Sequence, residues 1–337
     1  MGSLDDTVTF EARYRAAVAI PQTLSSFMQK IGDWASVASQ EKMAAVINGS
    51  QPYVPSPRYT LSLLRTYIRE VEREGGSIEG DEFNALLFDT LQLVKGTTEA
   101  DPMLLQYLSF RLGVGVGVEG ILAVRVGPFH NDVGLRMWEA GYLLAEFLIK
   151  NSSIVADKRV VELGAGVGLT GIAVQGLCGC KSITLTDYTD VTIANMNHNV
   201  ALNAPWIQAN CPGAPLPEVA HLDWEELGGL KSITGCTSLS SAELLLAADV
   251  IYDVVVIPHL VKIVKLFLLS AAGKFAIFAT TYRNEKTFAL FITCLEKEGV
   301  HYEEMNDYQY DELFDTFWTQ KRDEVRLHSF SISKTAT

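Results

Sequence analysis

The first third of the chain spaces its apolar residues three and four positions apart, as amphipathic helices do. The clearest such segments are residues 58–74 and 81–94. Ser56-Pro57 provides a suitable cap and first turn for the first segment, and Gly75-Gly76 ends it. Two weaker helical patterns lie between residues 12 and 45. We therefore predict a mostly helical N-terminal region.

From about Gly134 the pattern changes to short apolar strands that alternate with helices. The predicted strands are 159–163, 182–186, 219–222, 243–248, 274–280 and 324–331. The predicted helices are 137–150, 170–177, 191–204, 258–269 and 287–298. Such alternation predicts an α/β fold with a doubly wound, mostly parallel sheet. Because ligands bind beyond the carboxyl ends of parallel strands, we expect the functional residues directly after strands.

The two regions meet where residues 112–126 alternate Gly and Val and then become apolar, a pattern that predicts a strand or hairpin. We assign residues 1–118 to an N-terminal helical region and residues 119–337 to the sheet domain. The helical region has no catalytic motif, but its apolar faces need a partner. We interpret it either as a cover for the sheet domain or as a site of substrate recognition.

Composition excludes several classes of protein. The 337 residues are 48% hydrophobic and 20% charged, which is typical of a globular protein rather than a disordered one. The net charge of −13 argues against direct binding of nucleic acid or of an anionic membrane. The five cysteines form no C-x-x-C pair, and no histidine completes a metal site. With no signal-peptide pattern, these features predict a cytoplasmic protein that needs no metal.

A glycine-rich segment follows the strand 159–163 and precedes a helix, an arrangement that lets the backbone approach a nucleotide-sized ligand closely. Two interpretations compete. Gly166-x-Gly168-x-x-Gly171 matches the dinucleotide fingerprint. Glu162-x-Gly164-x-Gly166-x-Gly168 matches the acidic-start loop of S-adenosylmethionine enzymes. The acid favours the second interpretation, because it can orient the loop or face the amino group of that cofactor.

Acids also follow the next two predicted strands. Asp187 ends the second strand, where a carboxylate can accept both hydroxyls of a ribose. Both candidate cofactors carry that ribose, so Asp187 does not distinguish them. Asp223-Trp224 follows the third strand, where an acid can bind an adenine amino group and an indole can stack on the ring.

Asp249-Val250-Ile251-Tyr252 follows the apolar strand 243–248 and forms a D-x-x-Y motif. Together with Gly134-Leu135-x-x-Trp138-Glu139-Ala140 and Arg283-Asn284, this motif resembles the seven-β-strand class I protein-lysine methyltransferases. Within them the chain is most similar to the elongation factor 2 lysine methyltransferase family. The resemblance extends from about Gly134 to Ile332, and more weakly from Pro52 to Leu93.

The resemblance implies a Rossmann-like sheet of seven strands and S-adenosyl-L-methionine as the cofactor. It implies that elongation factor 2 is the protein substrate of a monomeric enzyme. It places these residues against the cofactor: Trp138, Gly164, Ala165, Gly166, Asp187, Trp224 and Ala248. It places Asp249 and Tyr252 in the channel for the substrate lysine, where Asp249 orients the amine or accepts its proton. Tyr282 and the acids Asp307, Asp311, Glu312 and Asp315 are candidates for an acidic mouth, or simply a solvated face.

Two other functions fit the same layout. A nicotinamide-dependent oxidoreductase needs an acid or base at the hydride site, and the sequence has no suitably placed Tyr-x-x-x-Lys pair. A non-catalytic scaffold that binds the cofactor is expected to lack the D-x-x-Y motif or the ribose acid. Both are present here, so the sequence favours a lysine methyltransferase.

Overall fold

The computed structural model describes residues 7–96, 106–111, 120–127, 133–228, 237–305 and 322–332. The chain forms two compact units. The first contains the described parts of 1–112 and 121–130, and the second contains the described parts of 113–120 and 131–337. No helix in the described ranges has both the length and the apolar character needed to cross a membrane.

The first unit is helical, as predicted, with one antiparallel hairpin. Its helices are α1 (Val8–Arg15), α2 (Ile20–Met28), α3 (Val37–Gly49), α4 (Pro57–Arg73) and α5 (Asp81–Gly96). Its strands are β1 (Gln106–Arg111) and β2 (Ile121–Val126). The predicted strand or hairpin over 112–126 is confirmed at β2, whereas residues 112–119 lie outside the described residues. Ser56 caps α4 by accepting a hydrogen bond from the Tyr59 amide, as its position before Pro57 predicts.

Aromatic side chains fill the core of this unit. Tyr67 of α4 lies between Phe27 of α2 and Phe83 of α5, with ring centroids 6.0 and 5.4 Å apart, respectively. Phe10 of α1 packs edge-on against Phe27 at 5.0 Å. These aromatic pairs therefore join four segments that are distant in the sequence.

A buried arginine connects the helices of this unit to its hairpin. The Arg15 guanidinium donates to the Glu11 carboxylate at 2.8 Å and to the carbonyl of Ser50 at 2.7 Å. It also reaches the Ser109 hydroxyl of β1 at 3.3 Å and the Gly49 carbonyl at 3.4 Å. Arg15 is 1% exposed, so these acceptors replace water as its hydrogen-bond partners.

Replacing Arg15 with Met is expected to lower the free energy of unfolding by about 3 kcal/mol, because the buried carbonyl and hydroxyl acceptors around it lose a charged donor. Urea titration measures the change. The control is Arg69→Met on the exposed face of α4, where a loss within about 0.5 kcal/mol is expected. Equal stabilities of the two variants would contradict a structural role for Arg15.

The second unit is built on a sheet of seven strands, which confirms the predicted fold class. In chain order the strands are β3 (Arg159–Leu163), β4 (Ser182–Asp187), β5 (Glu218–His221), β6 (Leu244–Ala248), β7 (Phe275–Thr281), β8 (Val300–Glu304) and β9 (Val325–Ile332). Their order across the sheet is β5-β4-β3-β6-β7-β9-β8. The first five strands run parallel, and β9 pairs antiparallel with both β7 and β8.

Helices cover both faces of the sheet. They are α6 (Glu139–Lys150), α7 (Leu169–Cys178), α8 (Asp190–Asn210), α9 (Trp224–Gly228), α10 (Thr237–Ser241), α11 (Ile257–Ser270) and α12 (Glu285–Glu298). Helices α11 and α12 pack on one face, against Val161, Leu245 and Phe278. Strand order reverses between β3 and β6, because the chain runs outward from β3 to β5 and then returns to β6. This switch point is where a doubly wound sheet binds ligands.

Several elements differ from the sequence prediction, among them β1, α9 and α10, which were not predicted, and for two others the physical reason is clear. Helix α8 continues to Asn210 through Pro205, where the proline predicted its end. The side chains of Trp206 and Ile207 beyond the proline are buried, and their burial offsets the missing hydrogen bond. The edge strand β8 was not predicted, since only Val300 in it is buried and its other residues are exposed.

Candidate active site

One cavity of about 430 Å³ lies at the carboxyl ends of β3, β4 and β6 in the second unit. This volume is within the usual range for small-molecule sites. Nine of the eleven predicted site residues line it: Trp138, Gly164, Gly166, Asp187, Asp223, Trp224, Ala248, Asp249 and Tyr252. The sequence rule that functional residues follow strands therefore located the cavity correctly.

The loop after β3 favours glycine at two positions. Gly164 has φ +61°, and a Cβ there would lie 3.0 Å from the Val250 side chain and 3.1 Å from the Trp224 indole. Gly166 has φ +57°, and its Cβ would lie 3.2 Å from the Gly134 carbonyl oxygen. Both the backbone conformation and the surrounding atoms therefore disfavour larger residues. The bare backbone of this loop forms one wall of the cavity.

Glu162 and Ala165, which were also predicted to bind the cofactor, do not line the cavity. The Glu162 carboxylate is buried and accepts a hydrogen bond from the Gly171 amide of α7 at 3.1 Å. The Ala165 amide donates to the Thr186 carbonyl of β4 at 2.9 Å. Two roles were considered for Glu162: orientation of the loop, and contact with the amino group of the cofactor. Its hydrogen bond to the Gly171 amide matches the first, because it holds the loop and α7 together.

Burial raises the pKa of Glu162 from 4.5 to about 8, against the opposing effect of its hydrogen bonds to Thr170 and Gly171. The folded state therefore holds this proton more tightly than the unfolded state does. The stability that this proton contributes is complete below pH 4.5 and is lost as the pH rises through about 8.

Replacing Glu162 with Gln is expected to remove this pH dependence, because Gln keeps the neutral shape at every pH. As the pH rises across this window, the free energy of unfolding of the variant should increase relative to that of the wild type by up to about 1.4 kcal/mol per pH unit. Urea titrations near pH 5 and pH 8 measure the difference. Glu225→Gln, a change at an exposed acid, is the control. A difference that does not grow with pH would contradict a buried, neutral Glu162.

Asp187 lies at the end of β4 with its carboxylate largely buried. One carboxylate oxygen accepts from the Tyr188 amide at 2.8 Å and the other from the Gly166 amide at 3.1 Å. A carboxylate has about four lone-pair positions, so each oxygen keeps one for a ligand in the cavity. Burial raises the pKa of Asp187, and the two amides oppose that rise. The residue therefore orders the glycine loop while retaining two acceptor positions.

Asp223 and Trp224 form the part of the cavity wall that follows β5. Asp223 accepts a hydrogen bond from the Glu225 amide at 2.8 Å and so caps the short helix α9. The Trp224 indole packs against the apolar core that contains α11 and α12, and it lines the cavity beside Gly164. Its face there is suited to an aromatic ring.

Asp249 has the left-handed conformation, with φ +55°, directly after β6. Its carboxylate accepts from the Thr281 amide at 2.8 Å and from the Thr281 hydroxyl at 2.9 Å. It also accepts from the Ala140 amide at 3.4 Å, in the first turn of α6, and from Arg283 at 3.3 Å. A carboxylate is favoured at a helix N-terminus, where amides have no partner within the helix. Asp249 thus ties the loop after β6 to α6 and to the end of β7.

Arg283 also lines the cavity, and the sequence did not specify a role for it. Its guanidinium pairs with Glu139 at 2.6 Å and with Asp249 at 3.3 Å. It lies over the Trp138 ring, 4.7 Å from the centroid, and the Trp138 indole donates to the Val133 carbonyl at 3.0 Å. The rule that site residues follow strands could have identified it, since Arg283 comes two residues after β7.

Tyr252 is half-exposed at the cavity mouth. Burial of its phenol, together with nearby Tyr188 and Asp187, raises its pKa, so the hydroxyl remains a hydrogen-bond donor at neutral pH. Tyr282, a candidate for an acidic mouth, instead packs on Phe288 with ring centroids 5.1 Å apart. The other candidates for that mouth lie outside the described residues: Asp307, Asp311, Glu312 and Asp315.

The arrangement fits S-adenosylmethionine. The glycine loop offers bare backbone, Asp187 offers two acceptors for ribose hydroxyls, and Trp224 offers an aromatic surface next to Asp223. The cavity lining contains more acids than bases, which suits a cofactor that carries a sulfonium and an ammonium group.

Comparisons with known proteins agree with this chemistry. A family model described as lysine methyltransferase matches residues 121–298. The mouse protein-lysine N-methyltransferase EEF2KMT is 28% identical over 88% of this chain and 87% of its own length. The human protein of that name is 29% identical over 52% of this chain and 53% of its own length.

Similarity to solved structures is weaker. The magnesium protoporphyrin IX methyltransferase of Synechocystis PCC 6803, solved with bound cofactor, is 12% identical with a TM-score of 0.37. That alignment covers 58% of this chain and 80% of the other. Because the family model covers more than half of the sequence, the chain belongs to the lysine methyltransferase family and is an S-adenosylmethionine-dependent enzyme.

Proposed function

We propose that this enzyme transfers methyl groups to a lysine of a folded protein, and that this protein is translation elongation factor 2. The observation that carries the proposal is the joint placement of Asp187, Asp249 and Tyr252 around one cavity at the switch point of the sheet. The choice of elongation factor 2 is supported by the resemblance in sequence and by the names of the mouse and human relatives.

S-adenosylmethionine supplies an electrophilic methyl group for in-line transfer to an amine. Free lysine has a pKa near 10.4, so the amine must lose its proton before it attacks. The half-exposed mouth at Tyr252 admits the lysine, and the buried side of the cavity removes water from it. The main task of the protein is alignment of the two groups.

The contacts of Asp249 favour an orienting role over proton acceptance. Four donors already share its two oxygens: the Thr281 amide and hydroxyl, the Ala140 amide and the Arg283 guanidinium. One of its oxygens accepts only the Thr281 amide and retains a lone pair for a substrate ammonium or amine. Tyr252 lies three residues later in the same loop and contributes a hydroxyl to the same cavity, near Tyr188 and Asp187.

The proposal is tested by incubating the purified protein with methyl-labelled S-adenosylmethionine and either folded elongation factor 2 or a cell lysate. Label on a lysine is expected, as is a rise in melting temperature with S-adenosylhomocysteine but not with NAD or NADP. A shift with a nicotinamide nucleotide alone would contradict the cofactor assignment. Label on another lysate protein, and none on elongation factor 2, would contradict the substrate. Cytoplasmic location, the monomeric state and substrate recognition by residues 1–118 stay predictions.

A further inference from the structure

Exposed apolar side chains are concentrated at the mouth of the cavity. Thirteen large apolar residues are exposed in the described part of the chain, and four of them line the cavity. These four, together with two exposed valines that follow Tyr252, form what we call the apolar collar: Val133, Tyr188, Val191, Tyr252, Val254 and Val255. Val254 and Val255 lie in the loop that leads to α11.

The two valines have no evident purpose within the fold. Val254 is 53% exposed and Val255 is 63% exposed. The turn that contains them is held by the Val255 amide, which donates to the Asp253 carboxylate at 2.9 Å. That contact needs only the backbone of Val255, and polar residues are preferred before a helix. Exposed apolar groups clustered beside a cavity are typical of an interaction surface.

The cavity and the collar differ in chemistry, and this difference indicates the occupant. Acids line the cavity, among them Asp187, Asp223 and Glu225, and they suit a cationic cofactor and an amine. The collar is mostly apolar, since its apolar side chains outnumber the two exposed acids in the same segments, Asp190 and Asp253, so it does not match a strongly basic segment. A lysine side chain that enters the cavity brings its neighbours onto the collar, so those neighbours must be apolar if the two surfaces are to match.

We propose that the apolar collar is the docking surface for the protein substrate, which presents its target lysine from an apolar patch. This inference rests on the proposed lysine methylation of a folded protein and adds the place and the chemistry of recognition. A single lysine side chain buries far less area than a specific protein complex needs, so contacts outside the cavity must supply the rest. The collar is continuous with the cavity mouth and is placed to make them.

The test is the double variant Val254→Ser/Val255→Ser in the full-length protein. Serine is tolerated before a helix, and neither side chain lines the cavity. The matched control is Leu269→Ser, because Leu269 is 57% exposed near the far end of α11, the helix that follows the two valines, and roughly 20 Å further along it. Each protein is incubated with methyl-labelled S-adenosylmethionine and either purified elongation factor 2 or a cell lysate. Binding of S-adenosylhomocysteine is measured in parallel.

The double variant is expected to lose about tenfold in kcat/KM for the protein substrate, mainly through KM. Its affinity for S-adenosylhomocysteine and the activity of Leu269→Ser should match the wild type. Wild-type rates in the double variant would overturn the proposal that the collar docks the substrate. A parallel loss of S-adenosylhomocysteine binding would overturn it as well. If the wild type labels a different lysate protein, only the choice of elongation factor 2 fails, and the comparison is made on that labelled protein. If it labels no protein at all, both proposals are overturned.

Discussion

Asp249→Ala is expected to lower kcat for methyl transfer by about 100-fold or more, because the lysine amine loses the group that orients it. Cofactor affinity should change by less than about tenfold, since the Asp249 contacts lie with Thr281, Ala140 and Arg283 rather than with the glycine loop. Single-turnover kinetics and calorimetric binding of S-adenosylhomocysteine measure the two effects separately.

Two further substitutions separate the possible roles of Asp249. Its φ of +55° strains alanine but suits glycine and asparagine, so equal losses in Asp249→Gly and Asp249→Ala would assign the effect to the side chain. Asp249→Asn keeps an acceptor for the Thr281 amide but removes the charge. Partial activity in Asp249→Asn is expected for an orienting residue, whereas full loss would assign proton acceptance. Near-normal turnover in Asp249→Ala would remove the residue from the mechanism.

The alternation of apolar strands and helices was sufficient to predict the central sheet, because strands that are buried on both faces are apolar throughout. β3 has the bounds predicted for it, and β6 begins one residue later than predicted. β8 could not be predicted in this way, since an exposed edge strand such as Val300–Glu304 is mostly polar. The course of α8 through Pro205 depends on tertiary burial of Trp206, which local sequence does not encode.

Prediction of the site from sequence has the same limit, because tertiary contacts are not encoded locally. Strand ends identified Asp187, Asp223 and Asp249, because topology brings the carboxyl ends of parallel strands together. The partners of these acids come from distant segments, such as Thr281 at the end of β7 and Ala140 in α6. No local pattern predicts such pairings. Sequence therefore indicated which acids line the cavity, whereas the three-dimensional contacts show which other segments each acid holds in place.

Asp187→Ala is expected to weaken binding of S-adenosylhomocysteine by roughly 100-fold or more, because two hydrogen bonds from ribose hydroxyls to a charged acceptor are lost. The rise in melting temperature that the ligand causes should then largely disappear. The matched control is Glu225→Gln, which removes one negative charge from the same cavity lining and is expected to bind the ligand within about threefold.

Asp187 also accepts the Gly166 and Tyr188 amides, so its loss can disorder the glycine loop as well as remove the ribose acceptor. Asp187→Asn separates these effects, because its amide oxygen keeps one acceptor while its NH₂ group replaces the other. A ribose role predicts that Asp187→Asn loses less affinity for S-adenosylhomocysteine than Asp187→Ala, and that adenine alone binds both variants as it binds the wild type. If adenine binding falls in parallel, Asp187 acts by ordering the glycine loop, and its assignment to the ribose hydroxyls is wrong.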